Sequence, residues 1–291
     1  MIRRLATPLG TVALSDERPS RASRGARARP PLVLLHGFTG SKASWAVIRA
    51  AFRPTRRVIA IDLPGHGDTV ISDAAFDYSL ARTADLVAAT LAAMHVPRVD
   101  VLGYSMGGRV ALQLAIAHTE RVRRLVLEST SAGLATVAAR MRRRAADARL
   151  ATVIERDGIA AFVQRWEMLP LFRSLAVQPT GVRHALRRQR LACRPHGLAA
   201  SLRGMGLGAQ PWLGPRLAAL ASPVLLVTGE ADRKFTRLAA RLAARLPHAE
   251  HIIVTAAGHI PHLEQPERFL RAVRPFLAGT AGGRTASMQG E

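Results

Sequence analysis

One pentapeptide, Gly103-Tyr104-Ser105-Met106-Gly107, constrains the fold of this chain more than any other feature. It follows a short, mainly apolar run at 99–102 and opens a stretch at 106–118 with apolar residues at helical spacing. A strand that turns sharply into a helix needs glycine on both sides of the serine, because side chains there would collide with neighbouring backbone. Such a turn exposes the Ser105 hydroxyl at the edge of a sheet, beside a helix N-terminus that favours developing negative charge. The pattern predicts an α/β fold with a reactive serine.

Further short apolar runs have the same design, and each ends in Gly, Asp, Ser or His. They lie at 31–37, 56–67, 123–129, 222–230 and 250–259. Helical patterns separate them, such as 79–95 with Ser79 as a candidate N-cap. Strands that alternate with helices predict a mostly parallel, doubly wound sheet covered on both faces.

The alternation breaks once, and this break predicts the organisation of the chain. Residues 133–212 are helix-like, rich in arginine and without strand-like runs, so we expect a helical cap inserted into the core. Residues 31–132 and 213–278 are expected to form that core. Residues 1–30 are expected to form an N-terminal strand and an Arg-rich loop, and the small polar tail at 279–291 to be disordered.

The formal net charge of +22 raises the question of an anionic partner. Only two of the 42 basic residues, Lys42 and Lys234, are lysines, which suits either a compositional bias towards arginine or an acidic ligand. No helix-turn-helix, RNA-recognition or basic-zipper pattern accompanies the charge, so we expect a small polyanionic substrate rather than nucleic acid. No apolar run approaches the roughly 20 residues of a membrane span, and no secretory signal is evident, so we expect a cytoplasmic protein. The oligomeric state is not readable.

Two further residues complete a candidate catalytic set with Ser105. Asp232 stands just past one strand-like run, and His259 stands just past the last, so the chain order is Ser, Asp, His. A serine hydroxyl is a weak nucleophile or base until a histidine accepts its proton and an acid orients that histidine. Glu230 is the alternative acid. Cys193, the only cysteine, has no supporting motif and is a weak candidate nucleophile.

An oxyanion hole needs two backbone N–H groups that point at one position. Met106, the residue after the serine, should supply one, and Phe38 in the loop after the 31–37 strand should supply the other. The DLPGHG segment at 62–67 is interpreted as a structural loop at the rim of the site.

These residues belong to an ordered set of motifs that resembles one branch of the α/β-hydrolase superfamily. The set is LLHGFTGS (34–41), DLPGHG (62–67), GYSMGGR (103–109), SLRGMGLGAQP (201–211), GEADRKF (229–235) and AAGHIPHLEQP (256–266). It is similar to the 2-succinyl-6-hydroxy-2,4-cyclohexadiene-1-carboxylate synthases of menaquinone biosynthesis, over about residues 31 to 277. The resemblance implies the α/β-hydrolase fold with an inserted helical cap.

The resemblance also implies a reaction, namely a lyase that eliminates pyruvate from 2-succinyl-5-enolpyruvyl-6-hydroxy-3-cyclohexene-1-carboxylate without adding water. Ser105, activated by His259 and Asp232, would remove the proton next to the succinyl ketone, and no cofactor or metal is expected. The substrate carries three carboxylates, for which arginine is well suited. By alignment with the family, the substrate-binding residues are Tyr104, Arg109, Arg143, Trp166 and Arg190.

Two other functions stay open at this point. The same catalytic set suits a carboxylesterase or a C–C bond hydrolase of the same fold. The strongly basic composition also allows a non-enzymatic binding protein on a hydrolase scaffold.

Overall fold

The computed structural model describes residues 2–19, 29–71 and 76–279. Its centre is a sheet of eight strands. They are β1 (Ile2–Thr7), β2 (Gly10–Glu17), β3 (Arg29–Leu35), β4 (Arg56–Ile61), β5 (Val99–Tyr104), β6 (Val122–Glu128), β7 (Val224–Gly229) and β8 (Ala249–Val254). The strand order is β1-β2-β4-β3-β5-β6-β7-β8, with β1 and β2 antiparallel to their neighbours and the rest parallel. The predicted mostly parallel sheet is therefore confirmed.

Helices cover both faces of this sheet. They are α1 (Ala46–Phe52), α2 (Leu80–Ala93), α3 (Met106–Ala117), α4 (Val137–Glu167), α5 (Thr180–Leu191), α6 (Pro195–Met205), α7 (Arg233–Ala243), α8 (Pro261–Glu264) and α9 (Pro266–Ala278). Helices α2, α3 and α7 pack in one core cluster, and α1 and α9 in the other. Alternate residues of a strand point to opposite faces, so Val33 joins the first cluster and Leu34 the second. Ser79 caps α2, as its position predicts.

The N-terminal segment differs from the single strand that the sequence suggested. Strands β1 and β2 form a hairpin in which Thr7 pairs with Gly10 across a two-residue turn. Gly10 has φ +141°, a conformation that glycine adopts without the strain other residues would suffer, and this allows the tight turn. The part of the Arg-rich loop at 20–28 and the tail after Gly279 lie outside the described residues.

Between β6 and β7 the chain forms a helical layer of α4, α5 and α6, with a 3₁₀ helix at Pro170–Val177. Helix α4 bends at Gly158, where φ is +78°, and it packs along α6. The layer has its own small core, which includes Ile154, Phe162 and Leu198. Phe38, from the loop after β3, packs against that core from below. Among the helices of the described segments, none combines the length and hydrophobicity that a membrane crossing requires.

Candidate active site

Ser105 stands at the turn between β5 and α3 in a conformation rarely adopted by serine, with φ +50° and ψ −107°. Two contacts hold the strained turn. The Ser105 N–H donates to the carbonyl oxygen of Glu128 at 2.8 Å, and the Thr130 hydroxyl donates to the Ser105 carbonyl oxygen at 2.7 Å. A Cβ on Gly103 would lie 2.4 Å from the carbonyl oxygen of Gly107, so only glycine fits there. Strain of this kind persists where the surroundings over-determine the conformation, as at catalytic nucleophiles.

Ser105, Asp232 and His259 follow the C-terminal ends of three different strands, β5, β7 and β8. The His259 side chain lies between the other two. Its Nε2 is 3.3 Å from Ser105 Oγ, and its Nδ1 is 2.6 Å from Asp232 Oδ2. The other oxygen of Asp232 accepts from the Phe235 N–H at the start of α7, which fixes the carboxylate. Glu230, the alternative acid, instead accepts a hydrogen bond from the Ala256 N–H and makes no contact with the imidazole. The geometry thus brings Ser105, His259 and Asp232 into one hydrogen-bonded chain.

The imidazole is enclosed by aromatic rings. His259 is 2% exposed, and its ring centroid lies 4.6 Å from Phe235, 5.4 Å from Tyr104 and 6.1 Å from Phe172. Exclusion of water lowers the local dielectric and strengthens the bond between His259 and Asp232. The enclosure also restricts the orientation of the ring, so that Nε2 points at Ser105.

Two backbone amides beside Ser105 are free to bind an oxyanion. Met106 begins α3, so its N–H has no partner within the helix, and Phe38 follows the end of β3. Within the described ranges, no acceptor takes the amide hydrogen of either residue. Both residues line the cavity that contains Ser105. This arrangement suits the oxyanion hole that the sequence suggested.

A cavity of about 570 Å³ lies above the Ser105 turn, between the sheet and the helical layer. Ser105 and His259 form part of its floor. Its aromatic walls include Phe38, Trp166 and Phe172. Four cationic side chains line it, and they are Arg109, Arg142, Arg143 and Lys234. The size suits a small molecule, and the cations suit one with several negative charges.

Arg109 is a partly buried cation on the cavity wall, and in the described part of the chain no carboxylate lies within ion-pair distance of it. Its Nη1 donates to the Met205 carbonyl oxygen at 2.6 Å and to Gln210 Oε1 at 2.9 Å, both neutral acceptors. Burial and the neighbouring Arg143 lower the pKa of Arg109 to about 10, so the side chain is still charged at neutral pH. Buried cations in proteins are normally paired, so this one favours an anionic ligand.

The other predicted substrate-binding residues have different placements. Tyr104, Arg143 and Trp166 all line the cavity, although Arg143 already bonds Asp147 through Nε at 2.7 Å. The Trp166 Nε1–H is buried and has no acceptor among the described residues, while the residue itself lines the cavity. Arg190 does not line the cavity. Its guanidinium pairs with Glu167 and lies 4.8 Å from the centre of the Phe172 ring, behind the cavity wall.

Sequence reasoning missed three residues of the site, namely Arg142, Lys234 and Gln210. Lys234 follows Asp232 by two residues and is one of only two lysines in the chain, a signal that could have found it. Arg142 was hidden among the neighbouring arginines of the same helix. Gln210 stands in a quoted motif, but its bond to Arg109 spans about a hundred residues of sequence.

Two other sequence features do not belong to the catalytic centre. Burial raises the pKa of the Cys193 thiol to about 11, so it is not a thiolate near neutral pH. In the loop at 62–67, Asp62 is fully buried and bonds Lys42 Nζ at 2.6 Å, while Gly65 packs against the backbone of Gly197 in α6. That loop therefore supports the helical layer, as its interpretation as structural implies.

Comparison with known proteins gives the same fold and a narrower family. The model of the alpha/beta hydrolase family matches residues 32–272. A protein of Salmonella heidelberg (strain SL476) named 2-succinyl-6-hydroxy-2,4-cyclohexadiene-1-carboxylate synthase is 37% identical over 254 residues, which cover 87% of this chain and 96% of the relative. A Bacillus subtilis (strain 168) protein, provisionally given the same name, is 42% identical over 272 residues, which cover 92% of this chain and 99% of the relative.

Solved structures agree with these relatives. MenH from S. aureus superposes with a TM-score of 0.86 at 34% identity, covering 92% of this chain and 98% of that chain. A thermophilic esterase from Thermogutta terrifontis superposes with a TM-score of 0.82 at 26% identity, covering 97% of this chain and 100% of that chain. The chain belongs to the alpha/beta hydrolase family and, within it, to the 2-succinyl-6-hydroxy-2,4-cyclohexadiene-1-carboxylate synthases.

Proposed function

We propose that this protein is a carbon–oxygen lyase of menaquinone biosynthesis that eliminates pyruvate from 2-succinyl-5-enolpyruvyl-6-hydroxy-3-cyclohexene-1-carboxylate. The product is 2-succinyl-6-hydroxy-2,4-cyclohexadiene-1-carboxylate, which gives the relatives their name. One observation carries the proposal. The Ser105–His259–Asp232 chain opens into a cavity whose wall holds cations without carboxylate partners.

In the proposed reaction His259 Nε2 accepts the hydroxyl proton of Ser105. The Ser105 oxygen then takes the proton from the ring carbon that carries the succinyl group. The released electrons move through the ring double bond and break the carbon–oxygen bond to the enolpyruvyl group. The leaving enolpyruvate accepts the proton held by His259 and tautomerises to pyruvate. Serine and histidine return to their starting states, and no water is consumed.

The free amides of Phe38 and Met106 support this chemistry. Removal of the proton places negative charge on the succinyl ketone oxygen, and two amide hydrogens aimed at that oxygen would stabilise the enolate. An oxyanion hole that serves ester hydrolysis serves an enolate equally well, because both reactions concentrate charge on one oxygen.

The cations of the cavity match the charges of the substrate. In the described part of the chain, Arg109, Arg142 and Lys234 have no ion-pair partner, and the substrate has three carboxylates. Arg143 would add a fourth positive charge, already partly balanced by Asp147. Trp166 adds an aromatic ring to the wall of the same cavity. We assign Arg190 an indirect part, because its side chain holds Phe172 in place from behind.

We further propose that residues 133–212 act as a cap that excludes water during the elimination. Cap residues, including Leu150, Trp166 and Phe172, form the roof of the cavity. Water in the site would compete for the enolate and weaken the electrostatic contacts there. As a further part of the proposal, the enzyme works in the cytoplasm on this small anionic substrate.

A carboxylesterase is the second candidate function. The triad geometry and the 26% identical esterase structure favour it, because the same residues would attack an ester carbonyl. Neutral esters carry no negative charge that the cations of the cavity wall could bind. The cavity therefore supports a carboxylesterase less well than it supports the lyase.

A comparison of two activities tests the proposal. Purified protein is given the enolpyruvyl substrate, and pyruvate is followed by a coupled dehydrogenase, while p-nitrophenyl esters are assayed in parallel. Pyruvate release with slow ester turnover is expected. Rapid ester hydrolysis with no pyruvate release would reject the lyase function and support the carboxylesterase function.

A further inference from the structure

The loop that carries His259 is tied together by one buried carboxylate. Glu264 Oε2 accepts from the Gly258 N–H at 2.7 Å, and Glu264 Oε1 accepts from the Ile260 N–H at 2.8 Å. These are the amides immediately before and after His259. The same side chain therefore bonds the backbone N–H groups of the residues on both sides of His259, which restrains the direction of its imidazole.

Burial of the Glu264 carboxylate costs free energy, which its hydrogen bonds to these two N–H groups offset. Its side chain is buried, 4% exposed, and in the described segments no cation lies within ion-pair distance of it. A buried carboxylate without a cation is expensive, and two short N–H bonds are the only compensation in view. Both amides lie in the irregular segment between β8 and α8, and among the residues that the structure describes neither has another acceptor.

We propose that Glu264 is a positioning residue for catalysis, which holds His259 at the angle that lets it reach Ser105 and Asp232 together. The inference rests on the proposed role of His259 as the acceptor of the Ser105 proton. The 3.3 Å separation between His259 Nε2 and Ser105 Oγ is already long for proton transfer, so a small rotation of the loop would break the contact.

A separate contact anchors the same segment to the sheet. Glu128, at the end of β6, accepts from the backbone N–H and from Nδ1 of His262, at 2.9 Å and 2.8 Å. The Trp45 ring stacks on His262 at 4.4 Å. We expect helix α8 to stay in place when Glu264 is altered, so that a substitution of Glu264 acts on the conformation around His259.

The test is Glu264→Gln, which keeps the size of the side chain. A glutamine amide has one acceptor oxygen, so its NH₂ group would face one of the two backbone N–H groups and release it. We expect kcat to fall about 10- to 100-fold with KM unchanged, the effect of a small misplacement of a catalytic group. The matched control is Asp16→Asn, another largely buried carboxylate, which lies on β2 and bonds Arg57 of the neighbouring strand β4. It should lower stability and leave kcat unchanged.

A covalent probe separates this inference from the proposed substrate. A fluorophosphonate reacts with Ser105 when its oxygen bonds to phosphorus, fluoride leaves, and His259 accepts the hydroxyl proton. Glu264→Gln should slow this reaction by the same factor as kcat. If the wild-type protein reacts with the probe but releases no pyruvate, the proposed function fails while the role of Glu264 is still measured.

The inference is overturned if folded Glu264→Gln labels at the wild-type rate, or if its KM rises while kcat is constant. Should the variant not fold, amide hydrogen exchange in the wild-type protein decides. The Gly258 and Ile260 amides are expected to exchange as slowly as those of β7. Exchange at the rate of an open loop would show that the hydrogen bonds to Glu264 do not persist in solution. It would reject the positioning role of Glu264.

Discussion

Replacing Asp232 by asparagine should prevent His259 from activating Ser105 without changing the shape of the site. In the structure one oxygen of Asp232 accepts from the Phe235 N–H at 3.2 Å, and the other contacts His259 Nδ1 at 2.6 Å. An asparagine that keeps the bond to Phe235 turns its NH₂ group towards His259. The imidazole then carries its proton on Nε2 and cannot accept one from Ser105.

The magnitude follows from these two contacts. Turning the amide to restore the active tautomer would leave the partly buried Phe235 N–H without an acceptor, at a cost of up to about 1–3 kcal/mol. Loss of the charged acceptor for the imidazolium removes about 1.5–3 kcal/mol more of transition-state stabilisation. Because about 1.4 kcal/mol corresponds to a tenfold change in rate, kcat should fall by roughly 10²- to 10⁴-fold.

Pyruvate release by Asp232→Asn measures this loss, and Glu230→Gln is the matched control. Glu230 is two residues away and accepts only from the Ala256 N–H, so its amide variant should retain activity within a few-fold. Equal losses in the two variants would refute the assignment of the acid, as would an Asp232→Asn enzyme less than tenfold slower than the wild type.

Two further predictions concern substrate binding and acid stability. Arg109→Ala should lower kcat/KM by about 10- to 150-fold, mainly through KM, because it removes a charged hydrogen-bond donor worth about 1.5–3 kcal/mol. Arg98→Ala removes an exposed arginine before β5 and should have no such effect; equal effects would mean that only net charge matters. Burial lowers the pKa of His66 to about 3 and also lowers the pKa of His36, so below about pH 6.5 the unfolded chain binds protons that the folded chain does not. The free energy of unfolding, measured with urea, should fall as pH drops from 6.5 towards 3, by up to about 1.4 kcal/mol per pH unit for each histidine. His66→Gln should make this dependence less steep. A wild-type free energy of unfolding that does not change with pH would contradict the prediction.

The parts of the site that the sequence predicted are those fixed by local backbone geometry. Ser105 lies in a turn that only a few neighbouring residues define, and Asp232 and His259 each follow a recognisable strand. Parallel strands end at one edge of the sheet, so the meeting of these three side chains follows from topology. The fold could be predicted for the same reason, because each parallel strand and the turn that follows it are recognisable in the local sequence.

Residues whose position depends on packing between helices were harder to predict. Arg190 lies on α5, where a shift of one residue turns a side chain by about 100° around the helix, and it faces Glu167 rather than the cavity. The contacts of Glu264 could not be predicted although the residue stands in the AAGHIPHLEQP motif, because the motif does not show which backbone N–H groups the carboxylate binds. The sequence predicts one strand where β1 and β2 form a hairpin, because the turn between them contains only two residues.

The account depends most directly on Ser105 as the base that starts the elimination. Single-turnover pyruvate release should therefore be compared between the wild-type enzyme and Ser105→Ala, with the substrate bound to saturation in both. We expect the variant to bind substrate with similar affinity and to release pyruvate several orders of magnitude more slowly, since the catalytic residues act as a unit. Pyruvate release by Ser105→Ala at the wild-type rate would contradict the account.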